Sequence, residues 1–256
     1  MSDAGADAAH GSLVFERAGV HVLDPSADGR PGDGTRRTIL SDVTCTLTED
    51  TVTVIGANGS GKSTLLQLLN GLVPVDEGRV VVDGLDVSAR GRQVRRRVGF
   101  VFTDPAAQLV MPTPLEDVEL SLKRLVRDRR ARRTRALDVL DELGVADLAE
   151  RSVYELSGGQ RQLVALATVL AVDPAVLVLD EPTTLLDLAN REKLRGVLAD
   201  LVARRGVRTL LSTHDLEVAH DAQRTLLIHE GRLHADGAPA EVVGAYRDLV
   251  AGEARA

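Results

Sequence analysis

With 256 residues and 44% of them apolar, the chain is long enough to bury a substantial core as one large domain, or as a core with a smaller lobe, although aromatics supply only 2%. A net charge of −7 excludes a surface broadly attractive to nucleic acid. No apolar run reaches membrane-spanning length, since the longest, Leu163 to Leu179, is broken by Asp173 and Pro174. The opening MSDAGADAAHGS has no basic region ahead of an apolar run, so it does not read as a secretion signal and the expected compartment is the cytosol. Lysine is scarce beside arginine, which we read as codon bias, so Lys62, Lys123 and Lys193 stand out. Cys45 lies in the apolar alternation VTCTL and reads as a small core residue rather than a reactive thiol.

In chain order, residues 1–12 read as a disordered tail of small and acidic residues. Short β-like runs follow at LVFE near Leu13, GVHV near Val20 and TILSDVTCTL from Thr38 to Leu47. Between them DPSADGRPGDGTRR, residues 24–37, is a turn or loop without evident chemistry. From Thr51 the pattern becomes a buried strand, TVTVI, then a glycine loop, then a helix, KSTLLQLLNGL. A hairpin-like GRVVVDG precedes the strand VGFVF. Residues 106–156 hold only helical patterns, LEDVELSLKRLV and RALDVLDELG, and read as a helical lobe inserted into a core built from 13–105 and 157–256. After it come a helix at 160–171, a strand VLVL, a helix at 188–203, a strand TLLST and a hairpin, RTLLIHEGRLHADG. Helices alternating with continuous apolar strands indicate an α/β fold with a mostly parallel, two-sided sheet. The stretch KRLVRDRRARRTRA, Lys123 to Ala136, reads as a solvated helical face with local acidic partners; attraction to anionic headgroups or an acidic membrane subunit is the alternative.

Three motifs carry chemistry. GANGSGKST, Gly56 to Thr64, follows an apolar strand and opens a helix, the context a phosphate-binding loop requires. Gly56, Gly59 and Gly61, with Asn58, Ser60 and Thr64 between and after them, let backbone N–H groups turn inward around phosphate oxygens. Lys62 is expected to reach the β- and γ-phosphates and Ser63 to ligate Mg²⁺. VLVLDEP places Asp180 at the carboxyl end of a buried strand, where it would hold Mg²⁺ through water while Glu181 accepts a proton from an attacking water. LSGGQRQ puts Ser157, Gly158, Gly159 and Gln160 at a second helix start. An ordinary helix cap accounts for Ser157 but leaves the two glycines unused, whereas a second phosphate clamp uses both.

In this order the motifs resemble the nucleotide-binding ATPase subunit of ABC transporters, from Leu13 to Gly237. The resemblance implies a P-loop NTPase (RecA-like) core with an N-terminal antiparallel β subdomain and an inserted α-helical subdomain. It implies ATP and Mg²⁺ as cofactors. It also implies two subunits, identical or not, closing head to tail with each ATP between one GANGSGKST and the opposing LSGGQ. The expected partners are integral membrane coupling and substrate-binding subunits, with no nucleic acid, at the cytoplasmic face of the membrane. His214 matches the histidine that contacts the γ-phosphate, and Asp187 the aspartate that communicates across the dimer. The other histidines match nothing and are expected at the surface. Two positions depart from the pattern. The aromatic residue that stacks on adenine should fall near Val22, which puts strict preference for ATP over GTP in doubt. The glutamine at the strand exit is Thr103, whose shorter side chain would serve the metal only indirectly, through bound water.

FVFTDPAAQLVMPTPLEDV is similar to the corresponding segment of energy-coupling factor importers, keeping Asp104, Pro105, Gln108, Glu116 and Asp117 but not the first glutamine. TTLLDL is similar to the ATPase of the biotin branch. The resemblance therefore implies ATP-driven uptake of a vitamin, biotin favoured, with Gln108 on the loop that docks the membrane subunit. The alternatives are a cobalt or nickel importer ATPase and the ATPase of an exporter. An ABC protein of DNA repair would carry a long coiled coil between the phosphate loop and LSGGQ, and this chain has no sustained heptads there.

Overall fold

The computed structural model describes residues 11–24, 35–184 and 186–253, in two compact units: one from residues up to 95 together with those from 210, the other from 96 to 209. The expected tail, apart from its last two residues, and most of the 24–37 loop lie outside the described residues.

The first unit begins with β1 (Leu13–Asp24), β2 (Thr35–Leu47), β3 (Thr51–Ile55), α1 (Lys62–Leu68), β4 (Glu77–Val82), β5 (Leu85–Asp86) and α2 (Val87–Val94). An antiparallel sheet runs in the order β2-β1-β4-β5. The two runs expected near Leu13 and Val20 are one strand, bent rather than broken. The registers to β2 and β4 both shift after Glu16, where Arg17 has a φ of 51°. Such a bulge lets a strand turn without losing its ladder on either side. Leu13, Phe15, Val20, Leu40, Val43, Leu47, Val80 and Val82 are buried. Cys45 is buried with them, and loss of hydration, aided by the charge of Asp236, pushes its thiol up to about 12. It is an inert core group, as its sequence context indicates. The helix after the glycine loop is shorter than its apolar run suggested. It ends at Leu68, where Asn70 Oδ1 accepts from Leu72 N and Gly71 turns at a φ of 68°.

The second unit holds β6 (Val98–Val101), α3 (Pro114–Leu122), α4 (Arg129–Glu142), α5 (Gly158–Leu170), β7 (Val176–Asp180) and α6 (Leu188–Arg205). β6 and β7 pair in parallel, from Val98 with Val176 to Val101 with Leu179, and every residue of both is buried. That is why their sequences read as unbroken apolar runs rather than alternations. Each helix starts where a short polar side chain takes an orphan N–H: Thr113 for α3, Asp128 for α4, Ser157 for α5 and Asp187 for α6. The arginine-rich stretch opens α4 and is largely exposed, with Arg133 paired to Glu150 and Arg135 to Asp173, as a solvated face requires.

β8 (Arg208–Ser212) returns the chain to the first unit, which closes with α7 (Leu216–His220), β9 (Arg224–His229), β10 (Arg232–Gly237) and α8 (Pro239–Glu253). Here the strand order is β10-β9-β3-β8, with β3 parallel to β9 and a β9–β10 hairpin. α8 lies in a stretch the sequence reading left without structure, as does α2. Val242 and Val243 of α8 join Ile55, Ala219 and Leu227 in one cluster beneath the end of β3.

Gly99, in the middle of β6, shows how closely this packing is set. A Cβ there would lie 2.2 Å from Val169 Cγ1 of α5 and 3.2 Å from Pro174 Cγ. Gly99→Ala is expected to destabilise the protein by ~1–3 kcal/mol, the usual cost of overpacking. Val169→Ala in the same chain should recover most of that loss in chemical denaturation. A Gly99→Ala protein as stable as the parent would contradict this packing.

Candidate functional site

In the first unit the site begins where β3 ends. Gly56 has a φ of 146°, and a Cβ on it would stand 2.1 Å from Ile228 O of β9. Gly61 has a φ of 110°, and its Cβ would meet Leu40 Cδ2 at 2.7 Å and Ile39 O at 3.1 Å, on β2. Neither position admits a side chain. Gly59, between them, has a φ of 77°, yet a Cβ there would find, its chain neighbours aside, no atom of the described residues within 4 Å. The loop is thus backed by protein at its two ends and open at its crown, which is the shape of a backbone cradle.

Within it, Ser60 N donates to Ala57 O at 3.2 Å, and Gly231 N donates to Ser60 O at 3.0 Å. Ser60 is buried, and its Oγ makes no hydrogen bond among the described residues. Lys62 is only 4% exposed, and its Nζ donates to Gly56 O at 2.9 Å and Ala57 O at 3.0 Å, folding the ammonium back over the loop. Asn58 and Ser63 are exposed and Thr64 is half-buried. An open crown, a buried lysine held over it, and a helix start whose cap residue Gly61 contributes no side chain fit the phosphates of a nucleotide, with Ser63 able to add a hydroxyl ligand to its Mg²⁺. On the neighbouring strand, Thr213 N donates to Val54 O at 3.1 Å. His214, exposed, therefore leaves β8 beside the start of the glycine loop. Val22, near the end of β1, is 43% exposed, and its neighbour Leu23 is 72% exposed.

In the second unit the parallel register brings the exits of β6 and β7 together, so Asp180 and Thr103 emerge at the same edge. Asp180 is buried. Glu181 follows it with a φ of 45°, and its Oε2 accepts from Thr184 Oγ1 at 3.0 Å. A non-glycine residue in the left-handed region persists only where its surroundings hold it, and such residues cluster at functional positions. Thr103 is half-buried. Gln108 does not extend outward: its Nε2 donates to Ala165 O at 2.7 Å and Thr168 Oγ1 at 2.9 Å on α5, and its Oε1 accepts from Phe102 N at 3.4 Å. It fastens both ends of the loop to the helix that Ser157 begins. Among the residues the loop exposes, Val110 is a large apolar one, 70% exposed. Asp117 anchors the far side: its Oδ1 accepts from Val110 N and Met111 N, each at 3.1 Å, while its buried Oδ2 has no hydrogen-bond partner among the described residues. Burial holds its carboxyl above the usual carboxylate range, against the lowering effect of the two backbone bonds.

LSGGQ forms a reciprocal cap. Gln160 N donates to Ser157 Oγ at 3.2 Å and Ser157 N donates to Gln160 Oε1 at 2.9 Å. Both side chains are engaged in the cap, leaving Gly158 and Gly159 as bare backbone beside it. Asp187 caps α6, its Oδ1 accepting from both Asn190 N and Asn190 Nδ2 at 2.9 Å. The sequence reading passed over Asn190, Thr184 and the anchoring by Asp117. Their signals, polar residues three positions from a cap or a turn, are too common to single out unaided. Not all the remaining histidines lie on the surface. His21 bonds Thr38 and Glu77 in a half-buried site, and His229 stacks edge-on against His234 with centroids 5.7 Å apart. His10 lies outside the described residues.

The sequence profile described as ABC transporter matches residues 40–184. Biotin transport ATP-binding protein BioM of Rhizobium etli is 40% identical over 215 residues, 84% of this chain and 94% of that one. Energy-coupling factor transporter ATP-binding protein EcfA1 of Lactiplantibacillus plantarum is 37% identical over 214 residues, covering 83% and 76%. Among solved structures, CbiO1 from Clostridium perfringens, part of the ABC transporter complex CbiONQ, superposes with a TM-score of 0.77 at 30% identity, covering 94% of this chain and 93% of that one.

Asp117 yields a test with a definite sign. Its folded carboxyl titrates above the ordinary 3.8, so its contribution to stability is greatest below that pH and is lost as pH rises through the shifted value. Asp117→Asn keeps an oxygen for both backbone donors and removes the buried charge. The variant is expected to match or exceed the parent in stability at pH 7 and to lose the advantage near pH 3, as read from denaturation curves at the two pH values. A variant destabilised at pH 7 but not near pH 3, where the parent carboxyl is also neutral, would mean that the charge itself is required.

Proposed function

Since the chain belongs to the ABC transporter ATP-binding family, we propose that this ATPase drives an energy-coupling factor type importer, with a vitamin as cargo and biotin favoured. One observation supports the importer reading most directly. The segment from Phe100 to Val118 retains the Asp-Pro turn, Gln108 and the acidic helix start, and each makes a structural contact: Asp104 caps the turn, Gln108 fastens the loop, and Asp117 anchors its far side. The kinship to BioM and EcfA1 supports the same reading. The second reading is a cobalt or nickel importer; the likeness to CbiO1, part of the CbiONQ transporter complex, supports a transporter ATPase on either reading. Purifying the protein from membranes with its partners and identifying the bound cargo separates the two.

In the catalytic cycle, the amides of Gly59 to Lys62 and the Lys62 ammonium bind the β- and γ-phosphates. Ser63 and Asp180 would hold Mg²⁺, which would supply neutralisation of the charge that develops on the transferring phosphoryl group. Glu181, oriented by Thr184, takes the proton of the attacking water, and His214 steadies that water and the γ-phosphate. Thr103 would serve the metal only indirectly, through its bound water. The clamp for the γ-phosphate is Ser157, Gly158, Gly159 and Gln160 of a second ATPase subunit, identical or not, closing head to tail. Integral membrane subunits, at the cytoplasmic face, engage the loop that Gln108 and Asp117 secure. At the base position Val22 stands where an aromatic stack is expected, so base contact there is weaker or comes from the second subunit, and strict preference for ATP over GTP does not follow from it.

Glu181→Gln should lower turnover by about 10²–10⁴-fold, the usual share of a positioned general base, while ATP binding survives and a closed dimer accumulates. Near-parental hydrolysis by this variant would remove Glu181 from its role.

Thr103→Ala should cost isolated-subunit ATPase the net value of one hydrogen bond, ~0.5–1.5 kcal/mol, or up to roughly tenfold. Gln108→Ala should leave that activity nearly unchanged but lower uptake or assembly with the membrane subunits. Collapse of ATPase in Gln108→Ala with Thr103→Ala silent would show that the two assignments are reversed.

A further inference from the structure

We propose that Asn190 is a positioning residue that locks the LSGGQ helix start and Asp187 into one rigid face for the opposing subunit. Three observations in the second unit converge on it. A Cβ placed on Gly159 would lie 2.6 Å from Asn190 Cγ, 2.8 Å from its Nδ2 and 3.0 Å from its Cβ, so the amide rests directly on the glycine backbone. The same Nδ2 donates to Asp187 Oδ1 at 2.9 Å. Asn190 N donates to that oxygen too, so Asp187 is bound through both the backbone and the side chain of one residue.

The side chain thus touches two elements that are 28 positions apart in sequence and that, on the proposed function, both face the second subunit. Asp187 is exposed and Gly159 buried, and Asn190 between them is half-buried. The glycine is needed at 159 for room as well as for access to its N–H: any larger residue displaces the amide that orients Asp187. Asparagine suits position 190 because it offers a flat amide to pack on the glycine and an N–H for the carboxylate. Aspartate has the same shape and cannot donate. Alanine provides neither.

This inference rests on the head-to-tail dimer, and the test keeps the two apart. Every protein carries Glu181→Gln, so that ATP is bound but not turned over, and ATP-driven dimerisation is measured by sedimentation. Fluorescent-ATP affinity of the dilute monomer and thermal midpoint are measured alongside. Asn190→Ala and Asn190→Asp should each weaken dimerisation by about tenfold or more, the fold-change that a hydrogen bond to a charged group carries. Monomer affinity for the fluorescent nucleotide should stay within about twofold, because the phosphate loop is untouched. Asn190→Asp, which preserves the packing on Gly159, should do so with little change in thermal midpoint. If the Glu181→Gln parent itself fails to dimerise with ATP, the dimer reading falls and this inference with it. If the parent dimerises and both Asn190 variants dimerise as well, or weaken only in proportion to a fall in thermal midpoint, the positioning role is overturned while the dimer stands.

Discussion

Parallel pairing of buried strands decides where this chain can do chemistry, because a backbone with no water on either face must find its partners along the ladder and can turn only at the ladder's end. In the first unit, the bond from Thr213 N to Val54 O fixes β8 against β3 and so sets His214 beside the glycine loop. In the second, the register that pairs Val101 with Leu179 makes Thr103 and Asp180 leave at one edge. A slip of one residue in either ladder would point every side chain of the strand to the wrong face and carry the functional residue out of place. The proposed site residues inherit their positions from apolar strands that carry no reactive group.

The loops that follow those strands hold conformations that their own residues would not choose. Gly56 and Gly61 are boxed in by Ile228 O and by Ile39 and Leu40, so close approach as well as φ demands glycine there. Glu181 has no such freedom and still sits at a φ of 45°. Its neighbours Asp180, at the end of a buried strand, and Thr184, donating to its carboxylate, hold it there. In both units the backbone is bent to its task by packing that begins one strand away.

Charge is managed by the same means. Arg224 grips Asp236 with two donors, at 2.6 and 2.7 Å, and reaches Glu49 Oε1 and Thr46 O at 3.0 Å, tying β9, β10 and the turn before β3 together. A planar guanidinium can satisfy three partners at once where an ammonium would lose the fork geometry. Asp117 represents the opposite case, a carboxylate that burial destabilises and that accepts from two backbone amides of the loop before its helix. Where Arg224 stabilises the launch of β3, Asp117 trades stability for the shape of a loop.

The sequence by itself marked the candidate site: the glycine loop with Lys62, the strand-ending Asp180 and Glu181, the Ser-Gly-Gly helix start and the mostly parallel α/β order of elements were all legible, because each depends on local residue type and spacing. It also conveyed the helical character of the segment from Pro114 to Glu142. What it left out were α2 and α8, whose apolar residues are too sparse to mark a face until a sheet lies beneath them, as Val242 and Val243 show by packing on Ile55 and Leu227. It divided β1 in two, because a bulge at Arg17 interrupts the alternation that a strand is read by. Only the tertiary structure decided that Gln108 turns inward to α5, that Asp117 anchors a loop six residues before it, and that Asn190 rests on Gly159. Each of those outcomes depends on a partner distant in the chain or on a side-chain direction, and neither leaves a periodic trace in sequence.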